Sequence, residues 1–246
     1  MTARDEVYRD RQRQLVDFAF DDKVADVFPD MIRRSVPGYE TVVPITGLLA
    51  ARALSSSARE TARGYDLGCS LGASTLAMLR GLPARPRPRS VEVVAVDNAP
   101  AMIERARLLV DDPRVRFVCE DIRSLALGPA DAITLNYVLQ FLPPVDRPGM
   151  LERIREALAP DGVLLLSEKI RFDDADTQRE FDAAHLDFKR ANGYSELEIS
   201  QKRSALDNVM IIDTEERHRQ RLADAGFSRV RKWYQCLNWA SFEARP

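Results

Sequence analysis

The sequence predicts an α/β fold: a doubly wound, mostly parallel sheet with helices on both faces. Three observations carry that expectation. Short apolar runs, each ending on or followed by a small or polar residue, recur at Tyr65-Asp66-Leu67-Gly68, Val91–Val96, Val115–Cys119, Ala132–Leu135 and Val163–Ser167. Helical patterns separate them, which is the rhythm of βαβ units. The first run leads straight into a glycine loop, Gly68-Cys69-Ser70-Leu71-Gly72. Right-handed crossovers would bring the C-terminal ends of the strands to one edge, where ligands bind in such sheets.

The elements follow in order. Residues 1 to about 20 are charged and weakly patterned, a polar tail that becomes ordered near Phe18 and Phe20. From Lys23 to Ser35, Val24, Val27, Phe28, Met31 and Ile32 recur at helical spacing, with Pro29 marking a break or a fresh helix start. Pro37-Gly38-Tyr39 is a turn, and Thr41–Leu54 a second helix. Ser74–Leu82 follows the glycine loop, and Pro100–Val110 carries Met102, Ile103, Ala106, Leu109 and Val110 on one side. Asn136 ends the fourth strand, and a helix over Met150–Leu158 closes at Pro160-Asp161-Gly162 before the fifth. From Arg171 to Asp213 the alternation lapses into polar, helical pattern with a turn at Asn192-Gly193-Tyr194, an insertion or lid. The helix Glu215–Ala225 and an antiparallel hairpin, Val230–Gln235 with Leu237–Phe242, close a single domain over residues 1–246. The proline- and arginine-rich run Pro83–Pro88 is a surface loop.

Composition narrows the function. The chain has 246 residues, 45% of them hydrophobic, enough for a large core and too apolar for disorder. A net charge of −2 argues against direct nucleic-acid binding, which calls for a basic excess. Of the 36 basic residues only Lys23, Lys169, Lys189, Lys202 and Lys232 are lysine, so arginine dominates. Cys69, Cys119 and Cys236 are too scattered for a disulfide framework or a metal site, and two histidines add no metal cluster. The polar N-terminus and the lack of any apolar run near 18 residues predict a cytoplasmic protein with no membrane segment.

The spacing D-x-G-x-x-x-G at Asp66–Gly72 differs from the phosphate-cradling glycine motifs. It suits a ligand with an amino-acid tail, whose ammonium a carboxylate near Asp66 can orient, directly or through water. Asp97-Asn98, at the end of the second strand, can accept ribose hydroxyls. Glu120-Asp121-Ile122, after the third, offers an acid and an apolar face to an adenine. Asn136 ends the strand beside the glycine loop. Four such strand ends in order point to S-adenosyl-L-methionine. Each alone reads equally as a polar cap. Cys69 is expected to act through its backbone. His185 is a packing or capping residue with a possible proton-acceptor role, and His218, in EERHRQR, a solvated one. The run Trp233–Trp239 alternates as a core strand does.

These stretches carry a resemblance. The core is similar to class I S-adenosylmethionine-dependent methyltransferases. The chain resembles in particular the carboxy-S-adenosyl-L-methionine synthase family through FDDKVADVFPDMIRRSVPGYE (20–40), YDLGCSLGASTL (65–76), VDNAPAMIERAR (96–107), LNYVLQFL (135–142), LSEK (166–169), LDFKRANGYSELEISQKRS (186–204) and WYQCLNW (233–239). The 186–204 block lies outside the generic core and is the specific part. The resemblance implies a class I methyltransferase-like fold, and cofactor contacts at Tyr39, Gly68, Cys69, Ser70, Asp97, Asn98, Asp121, Ile122 and Asn136. It implies that Arg203 meets the carboxylate on the modified cofactor. It implies conversion of S-adenosyl-L-methionine and prephenate into carboxy-S-adenosyl-L-methionine, phenylpyruvate and water. A homodimer is also implied, with a product used by a tRNA carboxymethyltransferase in wobble-uridine modification. The Pro83–Pro88 loop and the divergent first ~20 residues depart from the family pattern without touching a matched position.

Two other readings fit the core alone. An ordinary methyltransferase acting on a small molecule or tRNA would share every strand-end residue and differ at 186–204. A ligand-free partner subunit would not need intact glycines and acidic strand ends.

Overall fold

The computed structural model describes residues 3–11 and 17–246. Its sheet has the order β3-β2-β1-β4-β5-β8-β7. The strands are β1 (Thr61–Leu67), β2 (Ser90–Asp97), β3 (Val115–Cys119), β4 (Ala130–Asn136), β5 (Leu158–Arg171), β7 (Arg229–Cys236) and β8 (Trp239–Arg245). The first five run parallel to their neighbours; β8 is antiparallel to β5, and β7 to β8. A two-residue strand, β6 (Asp213–Thr214), pairs with the end of β5. The order reverses between β1 and β4, and such a switch point opens a crevice at the C-terminal strand ends.

Continuous apolar runs form the central strands because both faces are covered. Tyr65, Leu67, Val94, Val96, Ile133, Leu135, Leu164 and Leu166 pack on one side with Met150, Leu151 and Ile154 of α5 (Arg147–Ala157). Ala62, Val91, Val93, Ala132, Val163 and Leu165 pack on the other with α2 (Tyr39–Ser56) and α3 (Ala73–Gly81). The helices α2 and α3 approach closely at Gly47. A Cβ there would lie 2.4 Å from the backbone of Ala77.

Several elements depart from the sequence reading. Pro29 does not break the first helix: α1 is continuous from Asp22 to Ser35, capped by the Asp21 carboxylate accepting from Val24 N at 2.9 Å. Proline inside a helix costs about 3 kcal/mol. Burial of Val24 and Val27 before it and Met31 after it in one cluster offsets that, at about 1.5–3 kcal/mol per side chain. The fifth strand is longer than expected at both ends. Leu158 already pairs with Ala130, and the Pro160-Asp161-Gly162 excursion forms an irregularity in the ladder. Beyond Ser167 the strand continues through polar residues, with Glu168 opposite Ala240 and Lys169 opposite Trp239. The hairpin turn takes Leu237, at φ +50°, out of the strand where the sequence had put it.

Part of the expected polar tail is packed. Asp5 is 2% exposed; its N–H donates to Asp30, and its carboxylate accepts from Tyr194 Oη. Residues 1–2 and 12–16 of that tail lie outside the described residues. His218 is buried rather than solvated, because its face of α8 (Glu215–Asp224) turns inward against Phe242. The insertion consists of α6 (Ala175–Ala191) and α7 (Glu196–Leu206), joined by a turn with Gly193 at φ +82° and capped by the reciprocal Ser195–Glu198 pair. α4 (Pro100–Leu109) covers the sheet between β2 and β3. Among the described residues no helix is long and apolar enough to cross a membrane.

One buried contact fixes the crevice. The Glu168 carboxylate, 0% exposed, accepts from Val138 N at 3.1 Å, Leu139 N at 2.8 Å and Gln140 N at 3.0 Å. Burial pushes its pKa up to about 8, against the opposing pull of those donors and Arg147. Glu168→Ala should cost about 3 kcal/mol or more, since each buried donor left without a partner costs about 1–3 kcal/mol. Glu168→Gln, which keeps one acceptor oxygen, should cost clearly less. Urea unfolding at constant m-value measures both; a loss under about 0.5 kcal/mol for the alanine variant would show that water replaces the carboxylate.

Candidate functional site

The crevice is one cavity of about 730 Å³, walled by the strand ends, α1, the start of α2 and the insertion. The glycine loop forms its floor. Gly68 (φ +75°), Ser70 (φ +48°) and Gly72 (φ +82°) all take left-handed conformations, which lets the chain reverse directly into α3. The N–H groups of Gly68 and Cys69 both donate to Val96 O at 2.8 Å. A Cβ on Gly68 would sit 2.3 Å from Val138, so glycine alone fits between the loop and the turn after β4.

Asp97 faces the cavity from the end of β2. One of its oxygens accepts from Ser70 N at 2.9 Å and the other from Ala99 N at 3.0 Å. Burial raises its pKa, and the N–H groups of Ala99, Ser70 and Asn98 pull the other way. A carboxylate has about four acceptor positions, so these contacts leave capacity for a diol. Asn98 lines the same edge.

Asp121 and Ile122 line the next part of the wall. Asp121 is held by Arg123, whose Nη2 lies 2.6 Å from it and whose guanidinium holds the carboxyl below its ordinary pKa. Asn136 donates to Ser74 Oγ at 2.9 Å, while its Oδ1 is buried without a partner. That orphan acceptor fits the ammonium of an amino-acid tail. The Tyr39 ring lies 6.0 Å from that of Tyr137, tilted by 35°, and burial pushes its hydroxyl well above the ordinary tyrosine range. Cys69 also lines the cavity, and burial raises its thiol so far that no thiolate forms.

Two assignments from the sequence change. Asp66 is not a cavity residue: it is 1% exposed, and its oxygens accept from Thr75 Oγ1 at 2.7 Å and Thr134 Oγ1 at 2.9 Å. It ties β1 to α3 and β4 and has no direct access to a ligand in the cavity. Arg203 is exposed on α7 and does not line the cavity of the single chain, although its charge reaches Lys169 and Lys189. The strand-end residues Gly68, Cys69, Ser70, Asp97, Asn98, Asp121, Ile122 and Asn136 do converge, together with Tyr39.

The far wall was not read from the sequence. Lys169, Lys189, Lys202, His185 and Trp239 line it. The signal was present in the composition, because three of the five lysines meet here in a chain that otherwise uses arginine. His185 Nε2 lies 2.8 Å from Ser35 O, so that nitrogen carries the proton. Burial and the neighbouring lysines pull its pKa down to about 3, which makes it a hydrogen-bonding group and a poor base. Among the described residues no group of three or more His, Cys, Asp or Glu side chains could hold a metal.

A doubly wound sheet with a glycine loop, a diol-ready aspartate and an orphan amide at its switch point defines a class I methyltransferase-like protein. Residues 65–162 match the family model described as a methyltransferase domain. An O-methyltransferase family protein of Burkholderia thailandensis superposes with a TM-score of 0.66 at 18% identity, over 92% of this chain and 60% of that one. The relatives at higher identity carry a more specific name. The carboxy-S-adenosyl-L-methionine synthase of Shewanella denitrificans is 47% identical over 98% of both chains, and that of Photobacterium profundum is 48% identical over 99% of this chain and 98% of its own. The chain belongs to the carboxy-S-adenosyl-L-methionine synthase family.

If Asp97 accepts the ribose hydroxyls, Asp97→Ala should weaken S-adenosyl-L-methionine by about 3 kcal/mol or more, at 1.5–3 kcal/mol per charge-assisted hydrogen bond. Calorimetric titration checks this. An unchanged affinity would remove Asp97 from the site.

Proposed function

We propose that this cavity turns S-adenosyl-L-methionine into carboxy-S-adenosyl-L-methionine, with prephenate giving up the carboxyl group and leaving as phenylpyruvate and water. The observation that carries the reading is the continuity of one cavity between a nucleoside edge and a lysine wall. Asp97, the glycine loop, Lys169 and Lys189 all line that one cavity. Gly68, Cys69, Ser70, Asp97, Asn98, Asp121, Ile122, Asn136 and Tyr39 hold the cofactor.

The reaction balances without a protein base. Prephenate loses carbon dioxide and hydroxide as its ring aromatises. The hydroxide takes a proton from the sulfonium methyl group, giving water, and the resulting ylide captures the carbon dioxide. The protein must place the reactants together and exclude bulk water, because free carbon dioxide escapes and an ylide in water is reprotonated. That demand agrees with a wall containing a neutral His185 and a protonated Cys69.

Residues 1–246 work as one S-adenosylmethionine-binding domain, with 171–213 closing the cavity. The protein acts in the cytoplasm as a homodimer, and its product goes to a tRNA carboxymethyltransferase. Arg203 reads the new carboxylate. From its exposed position it gets there by closure of α7 or from a second subunit.

Incubation with S-adenosyl-L-methionine and prephenate labelled in its ring carboxyl, followed by mass spectrometry, tests the reaction. The label should appear in the nucleoside product, and no carboxylated product should form without prephenate. Formation of S-adenosylhomocysteine instead would support methyl transfer. Arg203→Ala should weaken carboxy-S-adenosyl-L-methionine more than S-adenosyl-L-methionine, by about 2–5 kcal/mol if the pair is desolvated. Equal weakening of the two ligands would show that Arg203 does not read the carboxylate.

A further inference from the structure

Lys169 stands near the end of β5, where the strand runs past its apolar stretch, and its N–H donates to Gln140 Oε1 at 3.1 Å. Lys189 lies on α6 one turn beyond His185, on the same face of that helix. Both side chains enter the cavity, and neither ammonium has a hydrogen-bond or ion-pair partner among the described residues. Lys202, the third lysine of this wall, is differently placed. It is 3.7 Å from the Asp5 carboxylate, donates to Ser35 Oγ at 2.9 Å and lies over the Tyr194 ring, so its ammonium already has partners.

Two unpaired ammonium groups in a partly dry chamber are costly unless an anion joins them. Burial comes first at both: with the charges of Lys202, Lys169 and Arg203 it brings Lys189 to about 7, and with that of Arg203 it lowers Lys169, shifts that a bound anion would reverse. Asp182 and Asp207 oppose the effect at Lys169 from beyond ion-pair distance. Beside the lysines, Tyr137 and Trp239 pack edge to face at 5.3 Å and give the chamber an apolar wall. The combination of two cations and an aromatic face suits a small cyclic dicarboxylate.

Lysine rather than arginine has a chemical reason here. A guanidinium holds a carboxylate in one fixed fork, whereas an ammonium is a compact charge with rotatable donors on a flexible stem. A group that must hold a carboxylate while it leaves one carbon and forms on another needs the second kind of cation. This chain uses lysine at five of 36 basic positions, and it places three of them at this wall.

We propose that Lys169 and Lys189 form the anion subsite that receives the two carboxylates of the second substrate. The proposal rests on the reading of that substrate as prephenate.

The test is calorimetric titration of prephenate into protein loaded with S-adenosylhomocysteine, for the wild type, Lys169→Gln, Lys189→Gln and Lys189→Arg. Each glutamine variant should raise the Kd for prephenate at least ten-fold and leave that for S-adenosyl-L-methionine within two-fold. Lys189→Arg should recover part of the loss. Phenylpyruvate, with one carboxylate, should bind the wild type more weakly than prephenate does, and the variants should narrow that gap. Removing an unpaired charge should also leave the thermal midpoint of ligand-free Lys189→Gln equal to or above that of the wild type; a lysine needed for folding would lower it. Unchanged prephenate affinity in both glutamine variants overturns the subsite, as does an equal loss of both ligands. A wild type that neither binds nor uses prephenate overturns the substrate reading and the subsite together. A wild type that uses prephenate, matched by its variants, overturns the subsite alone.

Discussion

The crevice depends on a carboxylate that never touches it. Glu168 gathers the N–H groups of Val138, Leu139 and Gln140, and that grip holds the turn after β4 across the mouth of the sheet. Tyr137 can then take its left-handed conformation (φ +62°) with its N–H on Ser167 O. Val138 comes down on Gly68, which is why that position has no room for a Cβ. Buried donors without a partner would open such a turn to water. Because Glu168 and Lys169 are neighbours on one strand, the residue that braces the nucleoside end sits next to one that faces the lysine end. Alternating side chains across the sheet put them to different uses.

The parts of this fold that were legible in the sequence are those where burial is two-sided and local. Val91–Val96 and Ala132–Leu135 read as strands because nearly all their residues are apolar, as covering both faces requires, with Glu92 and Thr134 the exceptions. Their terminal Asp97 and Asn136 read as site residues because topology puts all parallel strand ends on one edge. The reading failed where long-range pairing overrides local pattern. Glu168-Lys169 lie past the apolar run that ends at Ser167, and pairing with β8 makes them strand. The Asp66 carboxylate looked available, but its satisfaction by Thr75 and Thr134 comes from two other elements. His218 sits among charges in sequence, while helical geometry turns it inward toward Phe242 with Leu222.

The N-terminal segment shows how a divergent stretch can still serve the site. Asp5 meets Lys202 and Tyr194 of the insertion and, with Asp30, shares Arg34, which stacks at 3.9 Å on the Tyr194 ring. Arg34 also donates to Asp5 O at 3.1 Å and Asn192 O at 2.7 Å, so one guanidinium joins the tail, α1 and the α6–α7 turn. Removing one partner from such a buried set leaves a charge exposed to low dielectric, a far larger loss than any surface ion pair represents. The insertion is therefore fastened at its turn, and the lysines on its two helices are held at a fixed distance from α1.

The two ends of the cavity make sense together when the charges of the proposed reaction are followed. Prephenate enters with two negative charges beside a zwitterionic amino-acid tail and one positive sulfonium. Phenylpyruvate leaves with one negative charge, and the new carboxylate offsets the sulfonium. The sum inside the cavity is the same before and after. No proton has to cross to solvent, because the hydroxide released by one reactant removes the proton of the other. A protein that catalyses such a step gains nothing from a titrating base and loses if water enters. Positive charge already in place beside the moving carboxylate, in a site closed to water, is what lowers the barrier. Lys169 and Lys189 can follow the carboxylate during transfer while Asp97 and the glycine loop keep the nucleoside still. On this account the arginine-rich composition of the chain and its lysine-lined chamber are two parts of one arrangement: fixed forks hold the scaffold, and mobile ammonium groups face the group in transit.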